Sequence, residues 1–242
     1  MKVVAKTDIG LKRGENQDRI YHGWVSEEVL LAIVCDGMGG ENSGSVASEL
    51  TVRIFSDKIN TGYRNDMDVN SIRNLMISSI SATNAMVYET SQSNEQMRGM
   101  GTTCVAVIVK EKRAYIINVG DSRVYSISQD DIVQITKDHT MVQMLVEQGK
   151  ITEDEVKDHP KRNLITRAVG AEPEVIPDYY EWDITDSESL LLCSDGLFGF
   201  CDNSDILEAV NQMNASDAVD EMISIAKQRG GGDNISIVLI NQ

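Results

Sequence analysis

Residues 29–40 read VLLAIVCDGMGG. Seven apolar residues run directly into an acid, and the acid into glycine. The apolar run predicts a strand over 29–35. A buried carboxylate without a partner is costly enough to take up a proton or be driven out. An acid at the end of an oily strand therefore predicts something waiting for its charge. The pattern recurs. Residues 190–196 read LLLCSDG and residues 115–121 read YIINVGD, each an apolar run ending in Asp. Residues 232–238 read GDNISIV, with the acid in front of the run. In an antiparallel sheet, a strand that begins beside the end of its neighbour delivers its acid to the same edge. The spacing predicts that Asp36, Asp121, Asp195 and Asp233 meet on one rim of a sheet core.

Composition narrows the classes. The chain has 242 residues, 22 basic and 38 acidic, for a net charge of −16. It is long enough for one large domain with a substantial core. A phosphate-backbone partner needs a basic stripe, and the sequence has none, so nucleic-acid binding is excluded. The start, MKVVAKTDIG, lacks a long apolar region, and no run reaches the roughly 20 apolar residues of a membrane span. A cytoplasmic protein without a membrane span is expected. Cys35, Cys104, Cys193 and Cys201 show no CxxC spacing and read as reduced, mostly buried thiols. His22, His139 and His159 lie far from every cysteine, which argues against zinc.

Along the chain, strands are predicted over 3–9, 19–24 and 29–35. A helix follows from Ser43, with Ala47, Leu50 and Ile54 on one face and Asn42 or Ser43 as its cap. Residues 60–68 read as a loop. A longer helix follows, with Ile72, Met76, Ile80 and Val87 on its buried face. Strands return at 103–109, 113–119 and 122–127, predicted as an antiparallel meander. Residues 140–159 read as helical, with Thr152 and Glu155 at capping-box spacing. A strand at 190–193, helices at 204–213 and 216–228 and a strand at 235–240 complete the chain. Two groups of strands, each followed by a helix pair, predict an α+β layered domain.

Crowded carboxylates either rise in pKa or are held ionised by cations. An all-oxygen set without histidine or cysteine suits Mg²⁺ or Mn²⁺. Near the N-terminus, RGENQDR (13–19) places Arg13 ahead of Asp18, and an arginine fork grips two phosphate oxygens. Taken singly, each of these is ordinary: Asp-Gly is a common turn, and RGENQDR a solvated loop of mixed charge. The repetition of strand and acid carries the reading.

TDIGLKRGENQDR, VCDGMGG, GMGTT, NVGDSRVY, HPKRNLITRAVG, LLCSDGL and GGDNIS follow one another across nearly the whole chain. In that order they resemble the metal-dependent protein phosphatases of type 2C (the PPM family), in their compact bacterial form. The resemblance implies a four-layer αββα sandwich, two antiparallel sheets flanked by antiparallel helix pairs. It implies one catalytic domain, 1–242, with a flap over about 138–180. It implies two core Mn²⁺ or Mg²⁺ ions, bridged by Asp36 and served by the Gly37 carbonyl, Asp195 and Asp233. A third, weaker ion is implied at Asp121 and Asp195. The resemblance also implies that Asp18 hydrogen-bonds metal-bound water and that Arg13 binds the substrate phosphate. The reaction implied is hydrolysis of phosphoserine and phosphothreonine in proteins by a metal-activated water, reversing a bacterial Ser/Thr kinase.

Two positions depart from the family. Gln17 stands where many relatives have Glu, and an amide is a poorer ligand for Mn²⁺. Met38 follows Asp-Gly where eukaryotic members have His, and it donates no useful proton. Cys35 and Cys193 read as packing residues, with alternation pointing them away from the adjacent acids. His159 reads as a shaping residue of the flap, Met141 and Met144 as filler or substrate contacts, Trp24 and Trp182 as core or sheet-surface residues. Three rival readings stand beside this one. They are a phosphatase of an anti-sigma antagonist in partner switching, a hydrolase of nucleotides or small phosphate esters, and a non-catalytic phosphoprotein-binding domain.

Overall fold

The structure is a computed structural model describing residues 1–40, 43–93 and 95–241. Its described residues form two five-stranded antiparallel sheets and a two-stranded ribbon. The first sheet holds β1 (Lys2–Asp8), β12 (Ile235–Asn241), β11 (Ser189–Cys193), β8 (Arg123–Ile127) and β9 (Ile132–Gln134), in that order. The second runs β10 (Asp178–Asp183), β7 (Arg113–Val119), β6 (Cys104–Lys110), β3 (Val29–Cys35) and β2 (Arg19–Ser26). The ribbon pairs β4 (Gly37–Met38) with β5 (Gly101–Thr102).

The layering explains why residues 29–35 are apolar at every position. On β3, Val29, Leu31, Ile33 and Cys35 pack outward against α1 (Ser43–Gly62) and α2 (Val69–Ser93). Leu30, Ala32 and Val34 pack inward against the other sheet. A strand buried on both faces has no polar side to show. The same split holds in the first sheet. Leu191, Cys193, Ile237 and Leu239 face α6 (Asn203–Gln212) and α7 (Ala215–Gln228), while Leu190, Leu192, Val238 and Ile240 face the other sheet. Three cores thus separate four layers, helix–sheet–sheet–helix, as expected.

Several local expectations are corrected. The three strands of 103–127 are not one meander. β6 and β7 pair, but β8 joins the opposite sheet beside β11. Gly120 makes the crossing, at φ +107, a conformation for which glycine is suited. Helix α1 continues through Gly62, past the expected loop start at 60. The helix expected over 140–159 is two short pieces, α3 (Met141–Glu147) and α4 (Glu153–Val156), broken at Gly149 with φ +64. The Thr152–Glu155 capping box is present. Strand β10 and the one-turn helix α5 (Asp195–Phe198) carried no clear periodicity in the sequence. The expected cap at Asn42 lies outside the described residues. Trp24 is 52% exposed on β2, and Trp182 packs against the inter-sheet core.

Candidate active site

Strand ends from both sheets open onto one cleft. The cleft, about 480 Å³, is lined by Arg13, Gln17, Asp36, Gly37, Asp233 and Asn234, among others. Asp36 follows β3 directly. Its N–H donates to Thr103 Oγ1 at 2.9 Å, and its carbonyl accepts from Thr103 N at 2.8 Å and Thr102 Oγ1 at 2.8 Å. Gly37 donates to the Gln17 carbonyl at 3.2 Å. A Cβ on Gly37 would lie 2.2 Å from the Gly44 carbonyl oxygen, so only glycine lets the first turn of α1 close on this strand end.

Asp18 is 1% exposed. Ser194 Oγ donates to its Oδ2 at 2.7 Å, and its Oδ1 has no hydrogen-bond partner. Asp121 follows the Gly120 crossing, is 6% exposed and also has an unpartnered Oδ1. Asp195 opens α5 just after β11, again with a buried, unpartnered Oδ1. Three orphaned carboxylate oxygens in one region are the unusual feature, because buried polar atoms are normally paired.

Their acidities respond to the crowding. Burial first, then the neighbouring Asp18 and Asp195, push the Asp36 carboxyl well above the usual range. Burial raises Asp18 to about 6. Burial and then Asp138 raise Asp121 to about 7. Burial and then Asp121 raise Asp195 to about 8. The cluster is electrostatically joined: Asp36 feels the charge of Asp18, Asp195, Asp121 and Asp233, in that order. Without cations, burial and mutual repulsion favour the protonated form of these carboxyls.

Asp233 is occupied. Its Oδ2 accepts from Arg13 Nη2 at 2.6 Å, and its Oδ1 from the Asn234 N–H at 2.9 Å. Among the described residues no three acid, imidazole or thiolate groups stand ready as a closed cage for one ion. The Arg13 pair is one physical reason, because it turns Asp233 toward the guanidinium. The donor chemistry nevertheless fits a hard divalent cation. All the acids are oxygen donors, three oxygens are buried and unspent, and their mutual repulsion is what such a charge relieves.

The comparisons with known proteins give the family and the fold. The family model for protein phosphatase 2C matches residues 12–238. This chain belongs to the protein phosphatase 2C family. It is 36% identical to a putative protein phosphatase 2C-type from Streptococcus pyogenes, over 100% of this chain and 97% of that one. It is 35% identical to the serine/threonine phosphatase stp of Listeria monocytogenes, over 100% and 96%. Among solved structures, the serine/threonine phosphatase of S. agalactiae superposes with a TM-score of 0.93 at 34% identity, covering 99% of this chain and 98% of that one. The Mycobacterium tuberculosis phosphatase PstP/Ppp gives 0.89 at 32%, covering 100% and 99%.

Within this phosphatase 2C chain, sequence reasoning missed the residues that hold the acids. Ser194 accepts from the Ser236 N–H at 3.0 Å while donating to Asp18, so it fastens β12 to the site. Asn234 accepts from Gln17 N at 2.8 Å and donates to the carbonyls of Ile9 at 2.9 Å and Glu15 at 3.0 Å, which fixes the Arg13 loop. Thr103 Oγ1 lies 2.7 Å from Ser122 Oγ, linking the Asp36 and Asp121 turns. Ser194, Asn234 and Ser122 are each a small polar residue next to an acid at an apolar strand end, which is the signal that could have found them, whereas Thr103 adjoins no acid. His139 is buried at the base of 138–180. Its Nδ1 accepts from the Gly120 N–H at 3.1 Å, so its proton sits on Nε2, 3.2 Å from Asp178 Oδ2. Burial holds its pKa down. Beside it Asp138 grips Arg123 through two oxygens, at 3.0 and 2.7 Å, with the guanidinium stacked 3.6 Å from the Phe198 ring centroid. His159 accepts from Lys161 N and has no contact to the acids among its hydrogen bonds. Met38 lies beside the cleft, on β4.

Proposed function

We propose that this chain hydrolyses phosphoserine and phosphothreonine in proteins with the help of Mn²⁺ or Mg²⁺ held at the acid cluster. Asp36, the Gly37 carbonyl, Asp195 and Asp233 would hold two core ions, and Asp121 with Asp195 a third. The observation that carries the reading is the set of buried, unpartnered oxygens on Asp18, Asp121 and Asp195, whose charges act on Asp36 in the cleft that Arg13 also lines, while Asp121 and Asp195 line the neighbouring pocket. Relatives named as serine/threonine phosphatases support the substrate class.

When bound, the ions supply positive charge for the phosphoryl oxygens and a water of lowered pKa. The chain's own residues do the rest. Arg13 is more than half exposed and reaches into the cleft, where its fork can exchange Asp233 for a phosphoryl group. Release of Asp233 by Arg13 frees the carboxylate for a cation, so substrate and ion draw on the same exchange. Asp18, fixed by Ser194, accepts a hydrogen bond from the attacking water and orients it. The thiols take no part. Cys35 and Cys193 are buried in the helix-facing cores, and burial pushes both thiols up in pKa. Met38 supplies no proton, so solvent or another residue protonates the leaving oxygen.

Residues 138–180 form the flap over this site, within a single catalytic domain of 1–242. The biological setting is reversal of a cognate Ser/Thr kinase. An anti-sigma antagonist is the rival substrate. Four buried free thiols support a reducing, cytoplasmic compartment, and no helix among the described residues is long and apolar enough to cross a membrane. The test is phosphate release from phosphopeptides, nucleotides and a chromogenic ester, by protein stripped of ions and then given Mn²⁺. The reading requires Mn²⁺-dependent turnover of phosphopeptides above nucleotides, lost in Asp36→Asn. Equal turnover by Asp36→Asn would overturn the site.

A further inference from the structure

Met38, two residues beyond Asp36, lines a second groove, of about 400 Å³. Ile165, Ala168, Val175 and Ile176 supply its apolar surface, and Ile176 is 75% exposed despite being aliphatic. Two backbone ladders tie this groove to the acid cluster. Gly37 and Met38 pair with Thr102 and Gly101. Thr102 in turn exchanges hydrogen bonds with Val169, at 3.0 and 2.8 Å. The groove wall is therefore in register with the strand end that carries Asp36.

The charge of the groove is one-sided. It contains Arg167, Glu172 and Glu174. Arg167 is already neutralised, donating to Asp178 Oδ1 at 2.8 Å and to the Ile176 carbonyl at 3.3 Å. Glu172 and Glu174 are exposed, and neither forms an ion pair among the described residues. An apolar trough with two unspent carboxylates complements a segment bearing an aliphatic and a cationic side chain. It repels phosphate, nucleotides and acidic peptide.

We infer that this groove binds the stretch of substrate polypeptide flanking the phosphorylated residue, and that Glu172 and Glu174 select lysine or arginine in it. The inference rests on the phosphatase reading of the neighbouring cleft. It makes the enzyme selective by flanking charge, through side chains set apart from the acid cluster.

The experiment uses one phosphothreonine peptide with Lys, Ala or Glu placed two or three residues to either side. Phosphate release with Mn²⁺ gives kcat/KM for each, at low and high salt. Solvated ion pairs of this kind set the expected scale. Wild type should favour the Lys peptide over the Glu peptide by about 2- to 20-fold at low salt, with the ratio shrinking as salt screens the pair. In Glu172→Gln/Glu174→Gln the ratio falls to about 1, and in Glu172→Lys/Glu174→Lys it inverts. Each ratio is internal to one protein, so a change in overall rate does not affect it. An unchanged ratio in both variants, or no charge preference in wild type that turns the peptides over, overturns the groove assignment alone. Failure of wild type to turn over any phosphopeptide or p-nitrophenyl phosphate with Mn²⁺ overturns the phosphatase reading and this inference together.

Discussion

Replacing Asp36 with asparagine should stabilise the ion-free protein at alkaline pH while abolishing its response to cations. Without divalent ions, burial and its acidic neighbours hold the Asp36 carboxyl well above its ordinary value of 3.8. The folded chain then carries a proton that the unfolded chain releases. A raised folded pKa contributes stability that is fully present below about pH 4 and is lost as pH climbs. For one such group the slope is at most about 1.4 kcal/mol per pH unit, over the range where the folded chain keeps the proton and the unfolded chain has lost it. At about 2–4 °C per kcal/mol for a chain of this size, that is about 3–6 °C per pH unit. Asparagine is close in shape and does not titrate there. In EDTA its melting temperature should fall less steeply with pH than that of wild type, by up to about 3–6 °C per pH unit. With Mn²⁺ at 100 times its dissociation constant, wild type gains about 2.7 kcal/mol per site, or about 5–11 °C. The variant should gain much less. Thermal melts from pH 6 to 8.5, with EDTA and with Mn²⁺, read both effects. Parallel melting curves in EDTA, or an undiminished Mn²⁺ shift in the variant, would refute the argument that Asp36 is the proton-holding centre of an ion site.

Three further outcomes are expected. Arg13→Ala removes a largely solvated ion pair, so melting should move by no more than about 4 °C, while kcat/KM on phosphopeptides falls about 10- to 150-fold from the lost charged hydrogen bonds to phosphate. Ser194→Ala leaves Asp18 Oδ2 and the Ser236 N–H unpaired and should cost about 1–3 kcal/mol, read as a lowered urea midpoint. Gly196→Ala puts a Cβ 1.9 Å from the Asn234 carbonyl oxygen and should destabilise by about 1–3 kcal/mol or more, whereas Gly14→Ala, with nothing within 4 Å, should stay within about 0.5 kcal/mol in the same titration.

The strand that carries Asp36 was legible because burial on both faces leaves an unbroken apolar run, and few other structures write that signature so plainly. Asp121, Asp195 and Asp233 were legible for a related reason, since an acid at the end of such a run has to be accounted for. Strand β10 was not, because DYYEWD mixes charge with aromatics and sits at a sheet edge, where one side pairs and the other meets solvent. The switch of β8 to the opposite sheet depends on one backbone angle at Gly120, and periodicity does not encode it. The flap helices were overread because Met141, Met144 and Val156 continue a helical spacing that Gly149 interrupts. The Arg13–Asp233 pair joins residues 220 positions apart, and local pattern holds no information about such a meeting. Ser194 and Asn234 stood inside the motifs that were noticed, but serine and asparagine beside an acid look like turn residues until their partners are visible.

Asn234 reaches back to the loop that bears Arg13 through three hydrogen bonds. The consequence concerns the order in which the protein is made. The Arg13 loop is tied to Gly37, Ser48 and Thr7, but it lacks its three Asn234 bonds until β12 has been synthesised and has slotted between β1 and β11. A nascent chain still attached to the ribosome therefore exposes the arginine and the first acids without assembling them into a working centre. Hydrolytic competence is expected to arrive with the closing strand, and phosphate release by a chain truncated before β12 would contradict it.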